Sequence, residues 1–142
     1  MATNITFTEV VTKLQAMAET AGAASVKVGL YQNDFDRTKE LDTPTVFIEP
    51  QNSTVGNATI TRNFQISVYD LLNHEQTDLV AKTNSTEVVA LAIIANLINS
   101  FANRDYEVTV ASLEWYTEHD TNTYTGWVIN IQILSPYAYS IC

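Results

Sequence analysis

The chain has one cysteine in 142 residues, at the terminal position Cys142, so no disulfide can form within it. That excludes the disulfide-stapled class of small scaffold. Basic residues are also scarce, with seven Lys plus Arg against 16 Asp plus Glu and a net charge of −9. The seven do not cluster, and gripping a phosphate backbone needs clustered Lys and Arg, so binding to nucleic acid or to an anionic membrane is not expected. Only four glycines occur, Gly22, Gly29, Gly56 and Gly126, and none sits in a phosphate-cradling loop. The longest apolar run, from Val88 to Ala95, falls far short of the ~18 residues that a membrane span needs. The opening "MATNITFTEV" lacks the basic and apolar segments of a secretion signal, so synthesis in a cytoplasm is expected. The four Asn-x-Thr sequons, at Asn4, Asn52, Asn57 and Asn84, then follow from an Asn- and Thr-rich composition rather than from glycosylation.

What is present is ample material for a core: 46% of residues are hydrophobic and 16% charged. The length suits one domain, residues 1–142. A first helix is signalled by Thr6 as N-cap with Glu9 three residues on, a capping box flanked by Ile5 and Val10 as a staple. Phe7, Val10, Val11, Leu14, Met17, Ala18 and Ala21 form its apolar stripe, and Gly22 is its stop. "SVKVGLYQ" alternates as a strand does. Residues 33–44 are polar and end in Pro44, a loop. "TVFIEP" predicts a short strand closed by Pro50, and "QNSTVGN" a turn-rich link. In "ATITRNFQISVYDLL", Ile60, Phe64, Ile66 and Val68 face one way, while Thr59, Thr61, Asn63, Gln65, Ser67 and Tyr69 face the other. That predicts a sheet covered on one side only.

A second helix follows, with its start at Asp78 or at Ser85. "YEVTVASLEWYTEHD" and "TGWVINIQILSPY" then form a hairpin with Trp127, Ile129, Ile131 and Ile133 inward. Val108 and Val110 have the opposite parity to Leu113 and Trp115, which a bulge near Ala111 and Ser112 reconciles. The expected fold is α+β: a mainly antiparallel sheet of about five strands with two helices packed on one face.

The second helix is apolar over too much of its circumference. Ala90, Leu91, Ile93, Ile94, Ala95, Leu97, Ile98 and Phe101 sweep roughly 200° of the wheel, where a helix lying on a sheet needs little more than 100°. Two destinations for the surplus are compatible: the first helix beside it, or a neighbouring subunit. Leu91, Ile94, Leu97, Ile98 and Phe101 are the candidates for core and interface.

Catalytic groups are sparse. His74–Glu75 and Glu118–His119–Asp120 are the places where imidazole and carboxylates meet. Both lie in expected loops, which favours solvated side chains over a metal site. Asp34, Asp36, Glu40 and Asp42 make an acidic loop interrupted by Arg37 and Lys39, without a calcium-loop pattern. No nucleophile elbow occurs, so no enzyme, cofactor or metal is expected. A small metal-dependent hydrolase would require His74 and His119 to converge.

The order of these elements carries a resemblance. The proline-entered "TPTVFIEP", the long strand "ITRNFQISVYDLL" ending near Asp70, the polar-to-apolar "TDLVAKTNSTEVVALAIIANLIN" and a terminal hairpin follow one another. Over roughly residues 5 to 137 this layout resembles the tail-terminator and tail-completion proteins, and related head-tail connector rings, at the neck of tailed bacteriophages. Those families have no catalytic residues to carry over. The resemblance implies a virion structural protein, made in a bacterial cytoplasm and assembled into a homo-oligomeric ring of six-fold symmetry or a multiple. Its partners would be copies of itself and adjacent neck, connector or tail-tube proteins. DNA would pass through the ring without specific binding, and an acidic lining suits that passage because like charge repels phosphate. The loops 33–44 and 51–58 would reach neighbouring rings, with Asp34, Asp36, Glu40 and Asp42 offering loop contacts or channel charge. The other class left open is a small-ligand-binding α+β module, monomeric or dimeric, with a pocket around Trp115 and Trp127.

Overall fold

A computed structural model describes residues 6–29, 44–56, 58–72, 77–100, 107–119 and 123–136. In chain order they form α1 (Phe7–Ala21), β1 (Ser25–Val28), β2 (Thr45–Val55), β3 (Thr59–Leu71), α2 (Leu79–Ser100), β4 (Glu107–His119) and β5 (Thr123–Pro136). The fold is α+β. One five-stranded sheet runs in the order β1-β2-β3-β5-β4, antiparallel throughout except for the parallel pair of β1 and β2.

The predicted caps of α1 hold. Thr6 Oγ1 accepts from the Glu9 amide at 3.2 Å. At the other end Gly22 adopts φ 112°, and the amides of Gly22 and Ala23 donate to the carbonyls of Glu19 and Ala18. This paired closure satisfies two of the carbonyls that a helix end leaves unbonded.

The helices lie together on one face of the sheet. Val10, Leu14, Met17 and Ala18 of α1 and Val89, Ala90, Ile93 and Leu97 of α2 pack in one cluster with Val46, Ile48, Phe64, Ile66, Val68, Ile129, Ile131 and Ile133 of the sheet. The strand residues in that cluster recur with period two, as side chains on one face of a pleated sheet must. The bulge expected near Ala111 is present, as a register shift between Val110 and Ser112. It brings Val108, Val110, Leu113 and Trp115 opposite Ile133, Ile131, Ile129 and Trp127, all on the helix side.

Two expectations need correction, and two open ones resolve. Pro50 does not close β2: the strand continues to Val55, and within the stretch read as a link Ser53–Val55 pairs with β3 after a register shift between Pro50 and Ser53. Proline is tolerated there because β1 pairs only as far as Ile48, so no neighbour on that side asks for the missing N–H. After the strand the Gly56 amide donates to Thr59 O at 2.8 Å, and Ala58 takes φ 64°. Second, the face away from the helices is not polar throughout, since Thr45, Phe47, Ser67, Tyr69 and Val128 are all buried there, with the rings of Phe47 and Tyr69 6.2 Å apart. Of the two starts left open for α2, the earlier holds: the helix begins at Leu79, directly after Asp78, and not at Ser85. The Lys82 amide bonds Asp78 O. Ser85 and Thr86 turn their hydroxyls back to carbonyls of the preceding turn instead of capping a new helix. Leu97, a candidate for both core and interface, is wholly buried in the core.

Candidate docking surface beside the second helix

Among the described residues, two helices on this sheet leave its last strand uncovered. Five strands spaced ~4.8 Å apart span about 24 Å, whereas two helices side by side cover about 20 Å. Accordingly α1 lies over β1 and β2, and α2 lies over β3 and β5, touching β4 only lightly. The helix-side residues of β4 show the consequence: Val108, Val110 and Leu113 are only half-buried, and Trp115 is 52% exposed.

The side of α2 that faces this uncovered strand is itself apolar. Its opposite flank belongs to α1, where Asn96 shares a cleft with Lys13, Ala16, Met17 and Thr20, and where Val89 lies beside Gly22. On the free side and the top, Val80 is 81% exposed, Val88 58%, Leu91 48% and Ile98 52%. Thus α1 does not absorb the surplus of the over-apolar helix. With Trp115, these side chains expose on the order of 400 Å² of apolar surface, the size of the largest patch on a typical monomer and often a functional one.

The N-terminal turns of α2 and the two tryptophans enclose a groove of about 420 Å³, lined by Leu79, Val80, Thr83, Asn84, Glu87, Trp115 and Trp127. Its floor is fixed by polar bonds. Trp127 Nε1 donates to Thr83 O at 3.0 Å, and Trp115 Nε1 donates to Thr125 Oγ1 at 3.1 Å. The hydroxyls of Thr83 and Thr125 are 3.0 Å apart, one donating to the other. Thr125 is fully buried, so these bonds replace the water it would otherwise keep. At the same end of α2, Lys82 Nζ pairs with Asp70 Oδ2 at 3.4 Å. That pair ties the first turn of α2 to the end of β3, where Asp70 Oδ1 also accepts from the Leu71 amide.

Of the residues expected to matter, the fold brings Trp115 and Trp127 together as a cross-strand pair. It places Leu91, Ile94 and Ile98 along the free side of α2, with Ile94 half-buried against the core. Leu97 points inward. Phe101, the acidic loop residues Asp34, Asp36, Glu40 and Asp42, and His74 lie outside the described residues, as does the side chain of His119. Among the described residues no group of three or more His, Cys, Asp or Glu side chains gathers as a metal site would require. Nor is any described helix long and apolar enough to cross a membrane.

Sequence reading missed Leu79, Val80, Thr83 and Glu87, because it left the onset of α2 open. A signal was available: Val80, Glu87, Leu91, Ile94 and Ile98 recur at spacings of 7, 4, 3 and 4. That spacing puts the five on one side of a helix. Thr125 gave no signal, since a buried threonine in a strand looks like any other. Set against known proteins, the chain matches no family model and no curated protein.

Proposed function

We propose that this chain is a self-assembling, non-enzymatic structural subunit, and that it builds a homo-oligomeric ring in the neck or tail of a phage virion. The supporting observation is the apolar flank of α2 running beside β4, which among the described residues pairs on one side only and lies under neither helix, leaving Leu91, Ile98, Val80 and Trp115 in water in the isolated subunit. Fully burying a Leu, Ile or Val is worth ~1.5–3 kcal/mol, so covering this surface favours association strongly. In that ring the net charge of −9 suits a lumen that lets DNA slide through without specific binding. Adjacent neck, connector or tail-tube proteins would meet the ring through its loops. Light scattering across a concentration series, with negative-stain images of any large species, tests the reading. A closed ring of six subunits or a multiple supports it, and a strict monomer at every concentration counts against it.

A second reading rests on the groove floored by Trp115 and Trp127, whose size and apolar lining also suit a small ligand in a monomeric or dimeric binding module. A concentration-independent monomer whose tryptophan fluorescence changes with an added aromatic ligand would favour that module.

A further inference from the structure

The sheet has two ends, and they are unlike. Among the described residues, β1 and β4 are the outer strands and pair on one side only. Following the register across all five strands gives continuous rows. One row runs Lys27, Phe47, Ser67, Val128, Glu114, on the face away from the helices. The row on one side of it runs Val26, Val46, Val68, Trp127, Trp115, and the row on the other runs Val28, Ile48, Ile66, Ile129, Leu113, both on the helix face. Each row therefore begins and ends in matched chemistry: lysine and glutamate on one face, valine with tryptophan or leucine on the other. Lys27, Val28, Glu114 and Trp115 are all exposed at these ends.

Resting on the self-assembly reading, we infer that the copies join head to tail, β4 of one subunit pairing with β1 of the next in the register Trp115–Val26, Glu114–Lys27 and Leu113–Val28. Strand direction allows this without inverting a subunit. β1 runs parallel to β2, each later step across the sheet is antiparallel, and so β4 runs opposite to β1. A second copy in the same orientation thus offers its β1 antiparallel to β4, with its helices on the same face. Its α1, lying over its own β1 and β2, then arrives beside the one strand-width of sheet that α2 leaves bare, next to Trp115 and the free flank of α2.

The two-fold alternative, β4 against β4, is disfavoured by charge. Glu107, Glu114 and Glu118 lie along that strand, with no Lys or Arg in it. Antiparallel self-pairing centred on Glu114 would set its carboxylate against that of the second copy, and like charges across a strand pair are destabilising. A contact between two different surfaces repeats without limit or closes into a ring, whereas a two-fold contact stops at two.

The test is a charge exchange at exposed positions that leave the fold alone. Glu114→Lys and Lys27→Glu are each expected to raise the subunit dissociation constant about tenfold or more by light scattering, and the double variant to recover most of that loss. In a Cys142→Ser background, Lys27→Cys and Glu114→Cys proteins should form a disulfide when mixed under oxidising conditions, and neither should link to itself. Assembly that is indifferent to both single changes, or Glu114→Cys protein that links to itself, overturns the head-to-tail contact while leaving self-assembly standing. A strict monomer in which the mixed cysteine pair also fails to link overturns both.

Discussion

Adjacent residues Leu97 and Ile98 of α2 should respond to substitution in opposite ways. Leu97 has no exposed surface, and it packs into the cluster shared by α1 and the sheet. Truncating it to alanine removes buried methyl groups and leaves a cavity, which costs ~2–5 kcal/mol in comparable cores. For a domain of this size each kcal/mol moves the melting midpoint by roughly 4 °C, so Leu97→Ala should lower it by about 10 °C or more. Ile98 is 52% exposed on the free flank. Ile98→Ala gives up little burial in the subunit and gains a few tenths of a kcal/mol in helix propensity, so the midpoint should stay within ~2 °C. Association behaves the other way. An Ile98 side chain that becomes covered between subunits contributes about 1 kcal/mol, and Ile98→Asp adds the cost of a carboxylate held against apolar surface, together tenfold or more in the dissociation constant. Calorimetry below the association threshold measures the first effect, and light scattering across concentration measures the second. If Ile98→Asp melts the subunit as Leu97→Ala does, the free flank is core and the reasoning about assembly fails. If Ile98→Asp changes neither quantity, the flank is bare surface with no partner in solution.

Three further outcomes are expected. Gly126→Ala should destabilise by at least about 3 kcal/mol in urea unfolding, because its Cβ would sit 1.8 Å from Val68 O and force β3 and β5 apart; a loss under 1 kcal/mol would mean the strands approach less closely than described. Thr125→Val should cost ~1–2 kcal/mol, since it removes the acceptor of Trp115 Nε1 and the partner of Thr83 at a buried site, and a neutral change would show that water replaces both bonds. In a Trp127→Phe background, acrylamide should quench Trp115 readily in dilute protein and progressively less as concentration rises, because the neighbouring subunit covers it. Quenching independent of concentration would place Trp115 outside any subunit contact.

How much of this the sequence revealed depended on whether a signal was local. Thr6 and Gly22 announced α1 because capping chemistry acts over a few residues. The bulge near Ala111 was legible because parity failed there and nowhere else in β4. Pro50 misled because proline's effect depends on whether a neighbouring strand needs its N–H, and that is a fact of pairing. Likewise the burial of Tyr69 and Phe47 on the second face could not be read from alternation, which assigns a side chain to a face but not what covers that face. Gly126 had no meaning as a residue in "TYTGWV"; its role appears only once Val68 and Tyr69 are placed across from it. The excess apolar surface of α2 was visible, but its division between core and flank was not. That division follows from where α1 lies, and only the fold fixes it.

An uncovered strand beside an apolar helix flank is an aggregation hazard, since any strand can pair with a free edge. Proteins commonly guard such edges with lysine, proline or charge, and β4 has neither lysine nor proline among its residues. It carries Glu107, Glu114 and Glu118 instead, along with a bulge that twists the middle of the strand. Acid on the edge repels a second copy of the same edge and, at net charge −9, most approaches by the rest of the subunit. It tolerates an edge that brings a positive charge at the matching position, and Lys27 sits at that position at the far end of the same row. One set of glutamates can thus suppress pairing of like edges while admitting the unlike one. A subunit that must stay dispersed until it meets its neighbours in the right order needs both properties from its edge at once.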